Sequence, residues 1–194
     1  MKKLLALLFI IPFILSATAE QRYFLHDDMN PEHPDMRLMD TMEPKYSYSS
    51  YINLDEGYAI WATSPFSKET KIDGDVYITI FIEASFIKSE ILPFQMRVIK
   101  ASLIDVAPSG NIDTIASSRP SYILFLKNDT VKPENFRFDN IEYVIPAGHS
   151  LGVKIEKAVD LLKYFPFSVL SPFTATNIYY DSIYTKSFVS VPFN

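Results

Sequence analysis

The chain has 194 residues, with 23 acidic against 18 basic side chains, a formal charge of −5, three histidines and no cysteine. A disulfide framework and a thiol nucleophile are excluded, and a mildly acidic chain without a Lys/Arg cluster is a poor candidate for binding nucleic acid. The length suits one domain whose core is large enough to need no cross-links.

Met1-Lys2-Lys3 is basic, Leu4 to Leu15 is almost wholly apolar, and Ala17-Thr18-Ala19 supplies small residues. This is the pattern of an export signal, a signal-peptide helix over residues 1–19 with cleavage after Ala19. An apolar run of about twelve residues is short for a permanent bilayer helix, which needs about twenty; the alternative is an uncleaved anchor. The lack of cysteine excludes a lipoprotein-type lipid anchor at this site. Removing 19 of 194 residues leaves 175, and losing Lys2 and Lys3 moves the formal charge from −5 to −7. The expected location is secreted or extracytoplasmic, in a periplasm or at the cell surface, with no stable membrane span once the signal is cleaved.

Five glycines and thirteen prolines punctuate the rest, and helical periodicity is hard to find. Residues 20–194 are read as a single domain. Arg22–His26 is the first strand candidate, and Asp27 to Pro44, with prolines at 31, 34 and 44, reads as an extended loop. Tyr46–Ile52 and Tyr58–Thr63 follow as strands around a turn at 53–57. After Asp73-Gly74, Val76, Ile78, Ile80, Ile82 and Ala84 alternate with Tyr77, Thr79, Phe81 and Glu83, the clearest strand in the chain. Phe94 to Val106 is a long strand whose apolar parity shifts near Val98-Ile99, which suggests a bulge there. Ile112–Ser117 completes a hairpin across Pro108-Ser109-Gly110.

Tyr122–Leu126 is apolar on both faces, which fits either a buried strand or a contact surface. Phe136–Ile145 and Leu151–Ile155 flank a tight turn, Pro146-Ala147-Gly148-His149. Val159–Tyr164 has room for one helical turn, and the aromatic tail from Phe165 to Phe193 supplies two or three closing strands. Asn128-Asp129-Thr130 matches the glycosylation sequon. These elements describe an all-β, mostly antiparallel sandwich.

The string from Ser64-Pro65-Phe66 through Asp73-Gly74-Asp75-Val76 is followed by Leu103-Ile104-Asp105-Val106-Ala107-Pro108-Ser109-Gly110, then by Ile145-Pro146-Ala147-Gly148-His149-Ser150-Leu151. In order and spacing these segments resemble the C-terminal non-catalytic domain of X-Pro dipeptidyl-peptidases and related cocaine-esterase-like acyl hydrolases, over roughly residues 59–183. The resemblance implies a galactose-binding-like jelly roll, here standing alone. It carries over no catalytic residue, because the family's catalytic groups belong to a separate α/β-hydrolase domain and this chain has no Gly-x-Ser-x-Gly elbow. Where the family has a polar stretch after the last strand pair, this chain has Tyr164-Phe165-Pro166-Phe167.

Three sets of residues have chemical potential of their own. His26-Asp27-Asp28 with His33 and Asp35 has the side chains of a metal site, calcium before zinc because oxygen predominates, but no metal-binding spacing; a solvated loop whose acids cap turns is the plainer account. His149 and Asp105 lie in or beside turns. The plain readings are a histidine bonded to nearby backbone and an aspartate accepting backbone N–H groups; the functional alternatives are a catalytic base for His149 and one of a glycosidase-type carboxylate pair for Asp105. Fifteen Phe, twelve Tyr and Trp61 fill a core for the most part, with Tyr179, Tyr180 and Tyr184 as candidates for exposure. No catalytic, cofactor-binding or metal residue is assigned, and no cofactor is expected. The function expected is that of an exported, non-enzymatic binding or accessory protein recognising carbohydrate or a protein at the cell surface. The alternatives are a small extracytoplasmic hydrolase or a structural subunit of an envelope assembly.

Overall fold

Period-two runs of β-branched and aromatic side chains become strands wherever the chain is described. The computed structural model describes residues 19–54, 57–84, 94–126, 131–158 and 176–194. The predicted signal up to residue 18, the sequon, the helical turn expected at Val159–Tyr164 and the tail up to residue 175 lie outside them. Twelve strands are present: β1 Ala19–Met29, β2 Arg37–Asp40, β3 Ser50–Asn53, β4 Tyr58–Ala62, β5 Thr70–Ala84, β6 Phe94–Val106, β7 Ile112–Ser117, β8 Ser121–Leu126, β9 Val131–Ile145, β10 Ser150–Lys157, β11 Thr176–Tyr180 and β12 Phe188–Phe193. No α-helix occurs among the described residues.

The strands make one open, mixed and mostly antiparallel sheet, in the order β3-β11-β5-β12-β1-β2-β4-β10-β6-β7. Only β2 and β4 pair in parallel. β9 pairs with β5 on the side away from β11 and β12, and β8 shares the outer side of β6 with β7. Ile72, Ile78 and Ile80 of β5, Leu103 of β6, Leu151 and Val153 of β10, and Ile178 of β11 all lie in one core cluster. Strands far apart in the pairing order therefore bury the same space, and the sheet curls over like the two layers of a sandwich.

Trp61 sits at the centre without solvent exposure, its ring edge-on to Tyr180 at 5.2 Å and its indole N–H donating to the His26 carbonyl at 3.2 Å. Burial of such a ring stabilises by roughly 3 kcal/mol. On the neighbouring strand β10, glycine at 152 lets Ile104 and the Trp61 backbone pack close. A Cβ there would lie 2.8 Å from Ile104 Cγ1 and 3.0 Å from the Trp61 carbonyl oxygen.

Several expectations are corrected. The Asp27–Pro44 loop contains the end of β1 and all of β2. Its remainder lies against the outer face of the sheet, where Met36 covers Ile60, Ala62, Ile104 and Val106. Asn30 anchors it by donating to the carbonyls of Ala62 and Thr63 at 2.8 and 3.0 Å. The strand expected after Asp73-Gly74 begins earlier, at Thr70, and runs through that dipeptide with a bulge opposite β9, where Gly74 has φ 135. Val98 and Ile99 are both buried where β6, paired with β8 as far as Ile99, gains β10 on its other edge; the bulge of β6 lies at Leu103/Ile104, against β7. The turn at Pro146–His149 joins strands that do not pair with each other, β9 lying on β5 and β10 on β4 and β6. That turn is pinned by reciprocal backbone bonds with Phe66, each 2.8 Å.

Candidate ligand-binding surface

The three histidines end up in three separate places. His26, on β1, faces inward: its Nδ1 lies 2.9 Å from Asp181 Oδ1 and its Nε2 3.1 Å from Asp40 Oδ1. Both contacts are hydrogen bonds when each ring nitrogen carries a proton. Asp181 also accepts the Asp27 N–H at 3.1 Å and holds the left-handed backbone, φ 55, that ends β11. The imidazole thereby ties β1 to the end of β2 and to the β11–β12 loop. Asp27 Oδ1 takes Arg37 at 2.7 Å and the Tyr180 hydroxyl at 2.8 Å. Burial, followed by that bond to Asp27, raises the Tyr180 phenol far above its ordinary value.

His33 is buried and meets the Ser150 hydroxyl at 3.2 Å. Asp28 and Asp35 are exposed and bond to neither histidine, so the loop does not gather the ligand set considered from its sequence. Among the described residues no group of three or more histidines and carboxylates is disposed to hold an ion.

His149 and Asp105 meet each other, which sequence reasoning did not foresee. His149 Nδ1 lies 2.8 Å from Asp105 Oδ1, and the Tyr143 hydroxyl donates to Asp105 Oδ2 at 2.7 Å. Asp105 therefore takes side-chain donors and does not cap the turn, and His149 bonds a carboxylate where backbone was expected. Asp113 stands opposite Asp105 across β6 and β7. Burial and the bond to Asp105 push the Tyr143 phenol up to about 12. Such a pair resembles a base with its orienting acid, but among the described residues no hydroxyl is bonded to the other ring nitrogen.

Four of the exposed tyrosines, Tyr46, Tyr48, Tyr51 and Tyr184, gather around β3 and the β11–β12 loop. Tyr46 stacks on Tyr48 with centroids 5.1 Å apart and planes at 28°. Tyr51 and Tyr179, cross-strand partners on β3 and β11, stack at 5.7 Å and 28°. The Ile183 N–H donates to the Tyr46 carbonyl at 3.0 Å, and Ser49 bonds Thr185 at 2.7 Å, which binds the Tyr46–Tyr48 segment to the loop carrying Tyr184. Tyr48 is 66% exposed and Tyr184 72%. The Tyr179 hydroxyl donates to Glu83 at 2.9 Å; burial and that bond raise its phenol to about 12.

Of the three tyrosines singled out from sequence, Tyr184 is exposed, Tyr179 half-buried and Tyr180 wholly buried. Tyr46, Tyr48 and Tyr51 were missed. The available signal was composition: Tyr46-Ser47-Tyr48-Ser49-Ser50-Tyr51 has rings but no aliphatic residue to bury them with, and tyrosine–serine mixtures are characteristic of binding surfaces.

A second exposed set lies on β8, where Tyr122 and Leu124 point outward beside Met96 while Ile123 and Phe125 are buried. The strand read as apolar on both faces is thus half core and half surface.

No protein-family model matches the sequence, and no curated protein matches it. Solved structures do share the fold. A CocE/NonD family hydrolase from Staphylococcus aureus superposes with a TM-score of 0.60 at 10% identity, over 94% of this chain and 38% of that one. An aminopeptidase from a marine sediment Thaumarchaeota archaeon gives 0.65 at 11% identity, over 91% and 37%. An α-amino acid ester hydrolase gives 0.62 at 12% identity, over 90% and 36%. The chain spans little more than a third of the length of these enzymes. At such identities the likeness is one of fold.

Proposed function

We propose that this chain is an exported, non-catalytic accessory module that recognises carbohydrate at the cell surface through its tyrosine face. The observation that carries the reading is the two stacked tyrosine couples, in which Tyr46, Tyr48 and Tyr51 are exposed and Tyr179 is half-buried, with the exposed Tyr184 beside them. Aromatic faces are negative and the C–H faces of a pyranose are weakly positive, so a sugar lies flat on such a ring while hydroxyls and serines bond its edge. The strands beneath are rigid, which keeps the ordering cost of binding small. A protein at the cell surface is the second ligand class that tyrosines of this kind suit.

Support for an accessory role comes from the fold shared with parts of much larger hydrolases. The segments around Asp73, Asp105 and His149 agree with it, since they resemble the jelly-roll, galactose-binding-like domain of X-Pro dipeptidyl-peptidases. The export component rests on the pattern of residues 1–19.

A glycan array probed with the full chain tests the reading. Binding to a defined glycan class is expected, and an array without hits removes carbohydrate as the ligand.

A second reading, a small extracytoplasmic hydrolase, draws on the Asp105–His149 pair with Tyr143. Turnover of an activated ester that disappears in His149→Ala would favour it over the first. A structural role in an envelope assembly draws on the exposed Tyr122 and Leu124. It predicts a mass that rises with concentration in light scattering.

A further inference from the structure

The curled sheet stops just short of closing. β9 pairs only with β5, and β7 and β8 only with β6, so each of these outer strands leaves one backbone edge without a strand partner among the described residues. The two edges face each other, with Cα atoms of β7 and β9 coming within 8 Å. At one end the seam is stitched by side chains: Ser121 donates to Glu134, and Lys132 Nζ donates to the Leu124 carbonyl at 2.8 Å. Beyond the stitches it opens into a groove of about 660 Å³ between residues 116–121 and 134–141.

An unpaired strand edge carries N–H and C=O groups that a further strand can satisfy, and natural sheets guard such edges with lysine, proline and bulges. β9 is guarded at both ends and open between them. Lys132 and Pro133 stand at one end, and Asn140, with a left-handed φ of 52, at the other. The intervening run Glu134–Asp139 has no proline or lysine, and its Arg137 is engaged on the exposed face by Asp75 and Asp139, each at 2.7 Å. That run lines the groove. Its six residues make the open edge roughly 20 Å long, enough for an extended segment of about six residues. Phe136 and Phe138, each 5% exposed and largely within the core, show only their edges to the groove beside the half-buried Ile141, and Arg119 on the opposite lip has neither ion pair nor hydrogen bond among the described residues.

From this geometry we propose that the groove receives an extended peptide segment, which adds as a strand to the free edge of β9. Apolar side chains at alternate positions rest on the phenylalanine edges and Ile141, and an acidic side chain pairs with Arg119. Main-chain bonding supplies affinity and the alternate side chains supply selectivity, as in other cases of strand addition. The site is independent of the tyrosine face, because β7 and β9 carry none of its rings, so either can fail without the other.

The test uses the full chain and fluorescent eight-residue peptides of alternating Val and Thr, with one Asp moved through each position, followed by anisotropy. At least one peptide is expected to bind, and Arg119→Glu to weaken it tenfold or more. Two versions of that peptide, N-methylated at the odd or at the even residues, separate strand addition from apolar adsorption. One version must lose binding and the other keep it, since only one edge of the ligand faces β9. The proposal is overturned if no peptide binds, or if both methylated versions bind alike. It also fails if the chain itself doubles in mass and Arg119→Glu returns it to a monomer, which would make a second copy the occupant.

Discussion

The His26 site, through its partner Asp181, and the tyrosine face, through Tyr179 and Tyr184, meet along β11 and its loop, yet they use their chemistry in opposite ways. Around His26, the groups with reactive potential are consumed internally: both ring nitrogens, both partner carboxylates and the Tyr180 hydroxyl have bonded neighbours. At Tyr48 and Tyr184, rings of no catalytic promise stand in solvent in the segments that flank the β3–β11 pair. The contrast is that titratable side chains serve as internal braces where a buried strand end must be fixed, whereas the proposed recognition surface is built of unreactive rings.

The largest perturbation should come from the centre that supports both regions. Trp61→Ala removes the ring against Tyr180 and the donor to His26, and is expected to cost about 4 kcal/mol in chemical denaturation. His26→Ala strands Asp181, whose carboxylate is nearly buried, and should cost about 2–3 kcal/mol by the same measurement. A loss of only a few tenths would show that the histidine is not a brace.

A pH titration sharpens the contrast from another side. Burial raises Tyr23 to about 12, and burial plus carboxylate bonds do the same for Tyr143 and Tyr179. In the unfolded chain a phenol ionises near 10, so above that pH the unfolded state binds fewer protons than the folded one. Stability from these groups is then complete below about pH 10 and is lost as pH rises toward 12. Ultraviolet difference spectra should reveal a late-ionising class of tyrosines that vanishes on denaturation. The smallest stability effect is expected at the surface, where Tyr48→Ser should change unfolding by less than about 0.5 kcal/mol.

How much of this was legible in the sequence depended on whether the signal was local. β5, β6 and the β6–β7 hairpin could be read because each carries its own period-two pattern or turn chemistry. β2 was hidden in a proline-bearing stretch, since its strand character comes from pairing with β1 and, in parallel, with β4. The turn at Pro146–His149 was found but not its role in carrying the chain between partners. The Asp105–His149 pair joins residues 44 positions apart, and His26 with Asp181 spans 155. No periodicity encodes such meetings; they follow from sheet order, which sequence left undetermined.

The most direct test compares glycan binding and melting temperature for the native chain and the double variant Tyr48→Ser/Tyr184→Ser. The account predicts unchanged melting with affinity reduced tenfold or more, about 1.4 kcal/mol. Undiminished binding by the variant would contradict it, because recognition would then lie away from the tyrosines.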